Sequence, residues 1–484
     1  MKKLIIILSA VLLGLALLTG AVLWGMSAYH EANYITIGQK EYYLGETQLD
    51  LSNQGYPDVE SILKMENLHR LDLRGTKVST QDYQTLRSAL PQCNILWDIP
   101  FQGNYYDPST SHFTVTQLTG EDITQLAYFE NLRVVDASNC TDYPEIMMLQ
   151  EQYPNCQVKY FVEVDGQRRS KNTTTLSIAD PDMEEVELAL TYLCNMKTLT
   201  FSGKLPAPEK LLALREQFPH VDIHWEYVLM DKVLTDDITR LDLSGVIMDS
   251  PQAVENALPY LPELTWVDMS DCGISNEEMD ALNKRHENVR FVWTIYAGRC
   301  RLRTDVTTFM PYLFGYDAGR RFSDKDAENL KYCTDIICMD MGHMGITECS
   351  FLYYMPNMQY LLLADTELKD YTPIGSLKEL KYLELFIAKD SDVSPLARCE
   401  KLEDINLCYT FIDNLNVLKD LPNLKNLWLI GAHYNPNHLV ELQEARPDVN
   451  ICITGSSSTG SGWRELPNYY AQRDILGLNY MVED

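Results

Sequence analysis

Residues 380–407 read LKYLELFIAKDSDVSPLARCEKLEDINL, and this stretch contains two copies of one apolar pattern. The first copy has the form L-x-x-L-x-L at Leu380, Leu383 and Leu385, and the second follows 22 residues later. Five copies keep this register without the gain or loss of a residue, at Ile336/Met339/Met341, Met358/Leu361/Leu363, Leu380/Leu383/Leu385, Leu402/Ile405/Leu407 and Leu424/Leu427/Leu429. The fixed interval defines a structural repeat between Leu330 and Ile453.

A period of 22 residues with this triplet is typical of leucine-rich repeats. The second and third apolar residues of each triplet are two positions apart, so they point to one face of a short strand and into the core. Too few residues remain for a full return helix, and segments such as 370–374 and 391–396 favour a turn or a 3-10 helix. Because a single repeat cannot bury its own apolar face, its stability must come from stacked neighbours.

The segment Leu380–Leu385, followed by Ser394-Pro-Leu396, resembles the repeats of internalin-like bacterial surface proteins. This resemblance implies an α/β fold, a leucine-rich repeat solenoid with a concave parallel sheet, and turn or 3-10 segments in the C-terminal half. His343-Met-Gly345, the segment 348–351 and the C-terminal tail are also similar to exported leucine-rich-repeat proteins of Gram-positive anaerobes. That similarity extends over residues 300 to 481 and implies no biochemical activity.

The N-terminal half contains four less regular modules between Thr47 and Tyr296. Each module has strand signals such as Leu71-Asp-Leu73 and closes on a related phrase. The closing phrases are PQCNILW at 91–97, PNCQVKY at 154–160, PHVDIHW at 219–225 and NVRFVW at 288–293. Ser275 and Glu278 have the spacing of a capping box, and the room between strands favours α-helices. We expect these helices on the convex side of the N-terminal half.

These patterns predict five regions along the chain. They are a signal anchor with a stalk at 1–30, irregular repeat modules at 31–296, a connecting segment at 297–329, regular 22-residue repeats at 330–454, and a linker with a C-terminal cap or tail at 455–484. The connecting segment carries five arginines in an otherwise acidic protein, and we interpret it as a linker whose arginines pair with acidic neighbours.

The N-terminus predicts export. Lys2 and Lys3 precede an apolar run from Leu4 to Trp24, which is about the length that a bilayer-spanning helix needs. The lysines favour a cytoplasmic N-terminus, so we expect a single-pass membrane protein whose repeats are extracytoplasmic. Cleavage near Ala28 is the alternative, and it would release the protein.

The overall charge and the cysteines exclude some classes of function. The chain has 40 basic and 69 acidic residues, and a formal charge of −29 disfavours nucleic acid as a partner. Six of the twelve cysteines fall at apolar positions of the repeats and are interpreted as core residues rather than disulfides. They are Cys93, Cys140, Cys156, Cys272, Cys333 and Cys399.

The sequence predicts no catalytic residue, no metal site and no cofactor. Ser61-Ile-Leu-Lys64 matches the S-x-x-K pattern of penicillin-binding enzymes, but no S-D-N or K-T-G partner accompanies it. His220, Asp222 and His224 alternate with apolar residues on a strand and share its polar face. Because no third ligand is evident, an exposed polar face is favoured over a metal site.

The register also predicts a binding face. Residues between the triplet leucines point away from the core, and aromatic and acidic side chains recur among them on adjacent strands. The predicted ligand-binding residues are Tyr360, Leu362, Tyr382, Glu384, Phe386, Asp404, Asn406, Trp428 and Ile430. The alternative is that the tail covers this face, because its short helix carries Trp463, Tyr469 and Tyr470.

Three hypotheses about function follow. The first is an exported leucine-rich-repeat protein, not an enzyme, that binds a protein or peptide partner at the cell envelope through its concave face. The second is a structural envelope component whose face is covered by its own chain, and the third is an envelope hydrolase. If the face is open, Trp428→Ala should change stability little, whereas Leu427→Ala should destabilise the core.

Overall fold

The computed structural model describes residues 1–478. Two compact units are present, one from Met1 to Trp225 and the other from Glu226 onward. Strand β15 (Asp222–Leu229) begins in the first unit and ends in the second. The division into five regions is a finer one and stays a prediction.

The first unit begins with one long helix and continues with short strands and helices. Its helices are α1 (Lys2–Asn33), α2 (Val59–Leu63), α3 (Thr80–Ala89), α4 (Gly120–Gln125), α5 (Tyr143–Gln152), α6 (Met183–Tyr192) and α7 (Pro208–Gln217), with a 3-10 turn at Leu126–Tyr128. Its strands before β15 are β1 (Tyr34–Ile37), β2 (Lys40–Tyr43), β3 (Gln48–Asp50), β4 (Arg70–Asp72), β5 (Asn94–Leu96), β6 (Ile99–Phe101), β7 (Asn104–Tyr106), β8 (His112–Thr114), β9 (Val134–Asp136), β10 (Gln157–Lys159), β11 (Phe161–Val164), β12 (Gln167–Ser170), β13 (Thr175–Ile178) and β14 (Thr198–Phe201).

Helix α1 is long and apolar enough to cross a membrane, by length and composition. Its side chains are almost all exposed, and none is buried. A signal sequence has the same properties, so the helix is compatible with both an anchor and a signal. The helix continues to Asn33, and β1 begins at the next residue.

Parallel sheets alternate with hairpins in the first unit. Strands β3-β4-β5, β8-β9-β10 and β13-β14-β15 pair in parallel, and β1-β2, β6-β7 and β11-β12 are antiparallel hairpins. The sequence analysis did not predict these hairpins. Their turns use left-handed residues such as Gln102-Gly103 and Asp165-Gly166, where both φ angles are positive, as a two-residue type I′ turn requires.

The second unit carries the regular repeats. Its further strands are β16 (Lys232–Thr235), β17 (Arg240–Asp242), β18 (Trp266–Asp268), β19 (Arg290–Val292), β20 (Thr294–Ala297), β21 (Cys300–Arg303), β22 (Thr308–Phe309), β23 (Cys338–Asp340), β24 (Tyr360–Leu362), β25 (Tyr382–Glu384), β26 (Asp404–Asn406), β27 (Phe411–Ile412), β28 (Asn426–Trp428), β29 (His433–Tyr434) and β30 (Asn450–Cys452). Its α-helices are α8 (Gln252–Ala257), α9 (Asn276–Arg285), α10 (Asp324–Ala327), α11 (Pro436–Ala445) and α12 (Pro467–Ile475). Its 3-10 helices are Leu258–Tyr260, Pro311–Phe314, Glu328–Tyr332, Ser350–Tyr354, Ile374–Ser376, Ser394–Arg398, Leu415–Asp420 and Trp463–Glu465.

The five triplets form the central strands of a seven-stranded parallel sheet in the order β22-β23-β24-β25-β26-β28-β30, and β22 and β30 add one strand at each end. The middle residue of each triplet is aligned with that of the next strand, so Leu361 pairs with Leu383 and Leu383 with Ile405. The second and third triplet residues, including Leu427 and Leu429, are buried in one continuous apolar core. The predicted parallel repeat fold is confirmed by this register.

The cysteines follow the same pattern. All twelve are free thiols. Cys333 and Cys399 are fully buried in the leucine core, and Cys93, Cys140 and Cys272 are buried at equivalent apolar positions. Only Cys156, among the six assigned to the core, is half-buried. These side chains therefore act as small apolar residues.

The arginine-rich segment 297–329 is held by local pairs. Arg301 pairs with Asp271, and Arg303 bonds both Asp268 and Asp305. The segment also supplies β22, the first strand of the seven-stranded sheet. Pairing with acidic neighbours, which we inferred from the sequence, therefore accounts for Arg301 and Arg303.

Candidate functional site

The candidate site is the side of the seven-stranded sheet that points away from the leucine core, hereafter the sheet face. It is formed by alternate residues of β23 to β28, because successive side chains of a strand point to opposite sides. The sheet face contains Cys338, Asp340, Tyr360, Leu362, Tyr382, Glu384, Phe386, Asp404, Asn406, Cys408, Trp428 and Ile430. All nine residues that the register predicted for binding therefore lie together.

These residues are not open to solvent. The C-terminal segment 455–478, hereafter the tail, packs on them and forms a second apolar cluster, separate from the leucine core. Tyr382 and Asn406 are 0% exposed. Eight of the nine predicted residues are buried, and the ninth, Phe386, is half-buried. Of the two alternatives that the sequence left open, the structure shows the covered face, because the register fixes the direction of a side chain and not what packs above it. Their role in binding a partner is not tested by this geometry and stays a prediction.

Trp463 is the centre of the contact. Its ring lies 5.3 Å from the Tyr382 ring and 5.3 Å from the Trp428 ring, between centroids. Its indole Nε1 donates to Glu384 Oε1 at 2.8 Å, and the side chain is 0% exposed. Gly462, with φ of 94°, makes the left-handed turn immediately before it. A buried tryptophan with a satisfied N–H is the usual form of an aromatic anchor.

The glycine- and serine-rich part of the tail also binds the sheet face, through its backbone. Asn406 donates its side-chain amide to the Ser458 carbonyl at 2.8 Å, and Trp428 Nε1 donates to the Gly460 carbonyl at 3.1 Å. The Cys408 thiol lies 3.8 Å from the same Ser458 carbonyl. The sequence predicted only a linker here, because backbone acceptors leave no mark in the composition.

Helix α12 covers the other end of the sheet face. Asn468 Nδ2 donates to Asp404 Oδ2 at 2.9 Å and to Glu403 Oε2 at 3.2 Å. The Cys338 thiol lies 3.9 Å from the Gln472 carbonyl, and the Gln472 side chain is buried. Among the tail residues, the sequence analysis named Trp463, Tyr469 and Tyr470 but missed Asn468 and Gln472. Their polar side chains carry no signal of burial.

Burial changes the acidity of the sheet face. It raises the pKa of Glu384, and hydrogen bonds from Tyr382 and Trp463 oppose this shift only in part. Burial also raises the pKa of Asp404 and of Asp340. Burial therefore favours the protonated forms of these carboxyls, and the tail covers those of Glu384 and Asp404.

Docking of the tail should therefore weaken as the pH rises. Because Glu384 and Asp404 have a higher pKa when covered, the docked form binds more protons than an open form. The stability that these two carboxyls give to the docked form should be complete below the ordinary carboxyl pKa of about 4. It should be lost as the pH rises through the raised pKa of the covered carboxyls. Each carboxyl can contribute up to about 1.4 kcal/mol per pH unit in that window.

Thiol alkylation measures this effect on the full chain. Cys338 and Cys408 lie under the tail, Cys399 is in the leucine core, and Cys194 is exposed. Rates at Cys338 and Cys408, normalised to Cys194, should rise between pH 5 and 8 while Cys399 stays unreactive. Glu384→Gln should reduce this rise. Protection that does not change over this range would show that docking is not linked to protons.

The other polar cluster that the sequence singled out lies elsewhere. His220, Asp222 and His224 are exposed, and Val221, Ile223 and Trp225 are buried, as the strand alternation predicts. No group of three or more His, Cys, Asp and Glu side chains within residues 1–478 could hold a metal ion. The geometry therefore gives no reason to replace the sheet face as the candidate site.

Comparisons with known proteins show a resemblance to leucine-rich-repeat proteins. No family model matches the chain, and no curated protein matches it significantly. Solved structures that resemble it include internalin C2 of Listeria monocytogenes (17% identity, TM-score 0.27, 46% of this chain and 86% of that one) and internalin InlF of the same species (14%, 0.27, 87% and 91%). A third is a leucine-rich-repeat protein of Leptospira interrogans, LIC12759 (15%, 0.28, 84% and 90%). Since these TM-scores are low, the assignment of the fold rests on the register of this chain's own strands.

Proposed function

We propose that this chain is an exported leucine-rich-repeat solenoid that binds a protein or peptide partner at the cell envelope through its concave side, without catalysis. The binding surface is the sheet face, and the tail occupies it in the resting state. The observation that carries this proposal is that the sheet face already holds a peptide segment of the chain. It does so with an aromatic pocket around Trp463 and with side-chain hydrogen bonds to the backbone.

The composition of the tail supports an exchangeable occupant. Residues 455–462 read GSSSTGSG, which is typical of a flexible linker. A segment joined in this way can leave the sheet face without unfolding the leucine core, because the two apolar clusters are separate. A partner segment would then meet the nine predicted residues.

A second candidate is a structural envelope protein whose tail never leaves. The complete burial of Trp463 favours it. The two candidates differ in whether the sheet face exchanges its occupant.

A photo-cross-linking experiment separates the two candidates. A photoreactive residue at Phe386, at the half-buried edge of the sheet face, is compared with one at Tyr312, which is exposed and outside the sheet face. Both are placed in the full chain, with and without Trp463→Ala. Cross-links to an envelope protein from position 386 alone, increased by Trp463→Ala, are expected. If position 386 forms no such cross-link in either background, the structural candidate is preferred.

The proposed localisation of the protein rests on its N-terminal helix. We propose that α1 spans the cell membrane with Lys2 and Lys3 in the cytoplasm, and that the repeats lie outside the cytoplasm. Protease added to intact cells should digest the repeats and leave a membrane-bound N-terminal fragment. Mature protein in the medium, starting near Tyr29, would instead show that the helix is a cleaved signal.

A further inference from the structure

The sheet face carries more acidic than basic groups where the tail meets it. Glu384 and Asp404 are buried there, and the half-buried Asp340 lies on the same face, on strand β23. Glu403 lies beside Asp404, and its carboxylate also contacts the tail. Three carboxyls, those of Glu384, Glu403 and Asp404, therefore accept hydrogen bonds from one docked segment.

The tail donates hydrogen bonds to these carboxyls from neutral side chains. The indole N–H of Trp463 binds Glu384, and the amide of Asn468 binds Asp404 and Glu403. No ion pair within residues 1–478 includes Asp340, Glu384 or Asp404. The nearby cations lie at the edges, since Lys425 pairs with Glu403 and the side chain of Arg464 is exposed.

The other titratable groups around these carboxyls do not supply a missing positive charge. The Tyr382 hydroxyl donates to Glu384, and Asp340 adds like charge. His343, which faces Asp340, is paired with Asp365. The buried amide oxygen Oε1 of Gln472 also has no hydrogen-bond partner in the part of the chain that the structure describes. The tail therefore binds Glu384 and Asp404 without placing a cation in an ion pair with either of them.

We infer that the partner which replaces the tail is a basic peptide segment, with lysine or arginine at the place that Asn468 occupies. This inference rests on the proposed function and names the chemistry of its partner. The amide nitrogen of Asn468 lies within hydrogen-bond distance of the carboxyl groups of Asp404 and Glu403, so a cationic nitrogen at that place would meet both and would favour the ionised form of Asp404. A charged donor makes a hydrogen bond about twice as strong as a neutral one. An electrostatic complement of this kind also favours the correct partner over the tail.

Peptide binding to the full chain tests the inference. The receptor is the full chain with Trp463→Ala, which loosens its own tail. The probes are two fluorescein-labelled peptides of residues 463–478, one native and one with Asn468→Lys. At pH 7.5 and low salt, the lysine peptide should bind at least about fivefold more tightly, since a gain of about 1 kcal/mol is expected for a charged donor. The advantage should shrink in 0.5 M salt and in receptors that also carry Asp404→Asn or Glu403→Gln.

A second measurement uses the tail in its own chain. Asn468→Lys in the otherwise unchanged protein should increase the protection of Cys338 from alkylation at pH 8, compared with the wild type. The inference would be overturned if the native peptide bound as tightly as the lysine peptide and Asn468→Lys gave no gain in the protection of Cys338. That result would point to the tail of a second copy as the occupant. Binding of neither peptide would count against an exchangeable face, and so against the proposed function as well.

Discussion

Replacing Trp463 by alanine is expected to release the tail from the sheet face. Trp463 is 0% exposed, contacts the rings of Tyr382 and Trp428, and donates to Glu384. Truncation of a buried tryptophan typically costs about 3–5 kcal/mol. That loss is large for a segment of 24 residues whose other contacts include three side-chain hydrogen bonds to Asn406, Trp428 and Asp404. Alkylation of Cys338 and Cys408 should therefore accelerate by roughly a hundredfold or more.

The leucine core should remain intact in this variant, because Trp463 belongs to the second apolar cluster. Cys399, which lies in the core, should stay as slow to react as in the wild type. Tyr470→Ala is the matched control, since Tyr470 is in the same tail and 54% exposed. If Trp463→Ala leaves Cys338 and Cys408 protected, the tail is held by its other contacts and the central role given to Trp463 is wrong.

Neighbouring residues on β28 should respond differently to truncation. Leu427 points into the leucine core and Trp428 into the contact with the tail. Leu427→Ala should lower the free energy of unfolding of the second unit by about 2–5 kcal/mol, the range for a buried leucine that leaves a cavity. The midpoint of chemical denaturation, followed with Cys399 exposure, measures this loss.

Trp428→Ala should act on the tail instead. An open face would have made this substitution nearly neutral, but Trp428 is buried against Trp463 and donates to the Gly460 carbonyl. We expect tail docking to weaken by about 3 kcal/mol or more, with Cys408 deprotected, and little change in core unfolding. If Cys408 in the Trp428→Ala variant is alkylated as slowly as in the wild type, the contact of the tail with Trp428 does not hold the tail in place.

The regular repeats were predictable because one physical rule repeats in them. Each L-x-x-L-x-L triplet needs a strand with two side chains inward. Stacking the five triplet strands and the closing strand β30 aligns Met339 with Leu361, Leu383, Ile405, Leu427 and Ile451. Cys333 and Cys399 could be placed in the core for the same reason. Ser275 could be placed at the start of α9 because a serine cap has a local signature, and its side chain accepts from the Glu278 N–H.

The hairpins of the N-terminal half were not predictable by that rule. The turn Met230-Asp231, in the antiparallel hairpin β15-β16, adopts two positive φ angles without the Asn-Gly or Asp-Gly pair that usually marks such a turn, whereas the turn Asp165-Gly166 does carry that pair. Strand β2 (Lys40–Tyr43) shows no regular alternation of buried and exposed side chains, so the two-residue period does not mark it as a strand.

The sequence by itself determined which side chains share the sheet face, since the direction of a side chain is a local property of its strand. The tertiary structure alone decided that this face is covered. Trp463 reaches Glu384 across 79 residues of chain, and Asn468 reaches Asp404 across 64. Contacts of that separation repeat in no pattern and form only when the folded sheet presents its aromatic and acidic side chains together. The physical reason is that burial of Tyr382 and Trp428 depends on what packs above them, which no periodicity in the strands specifies.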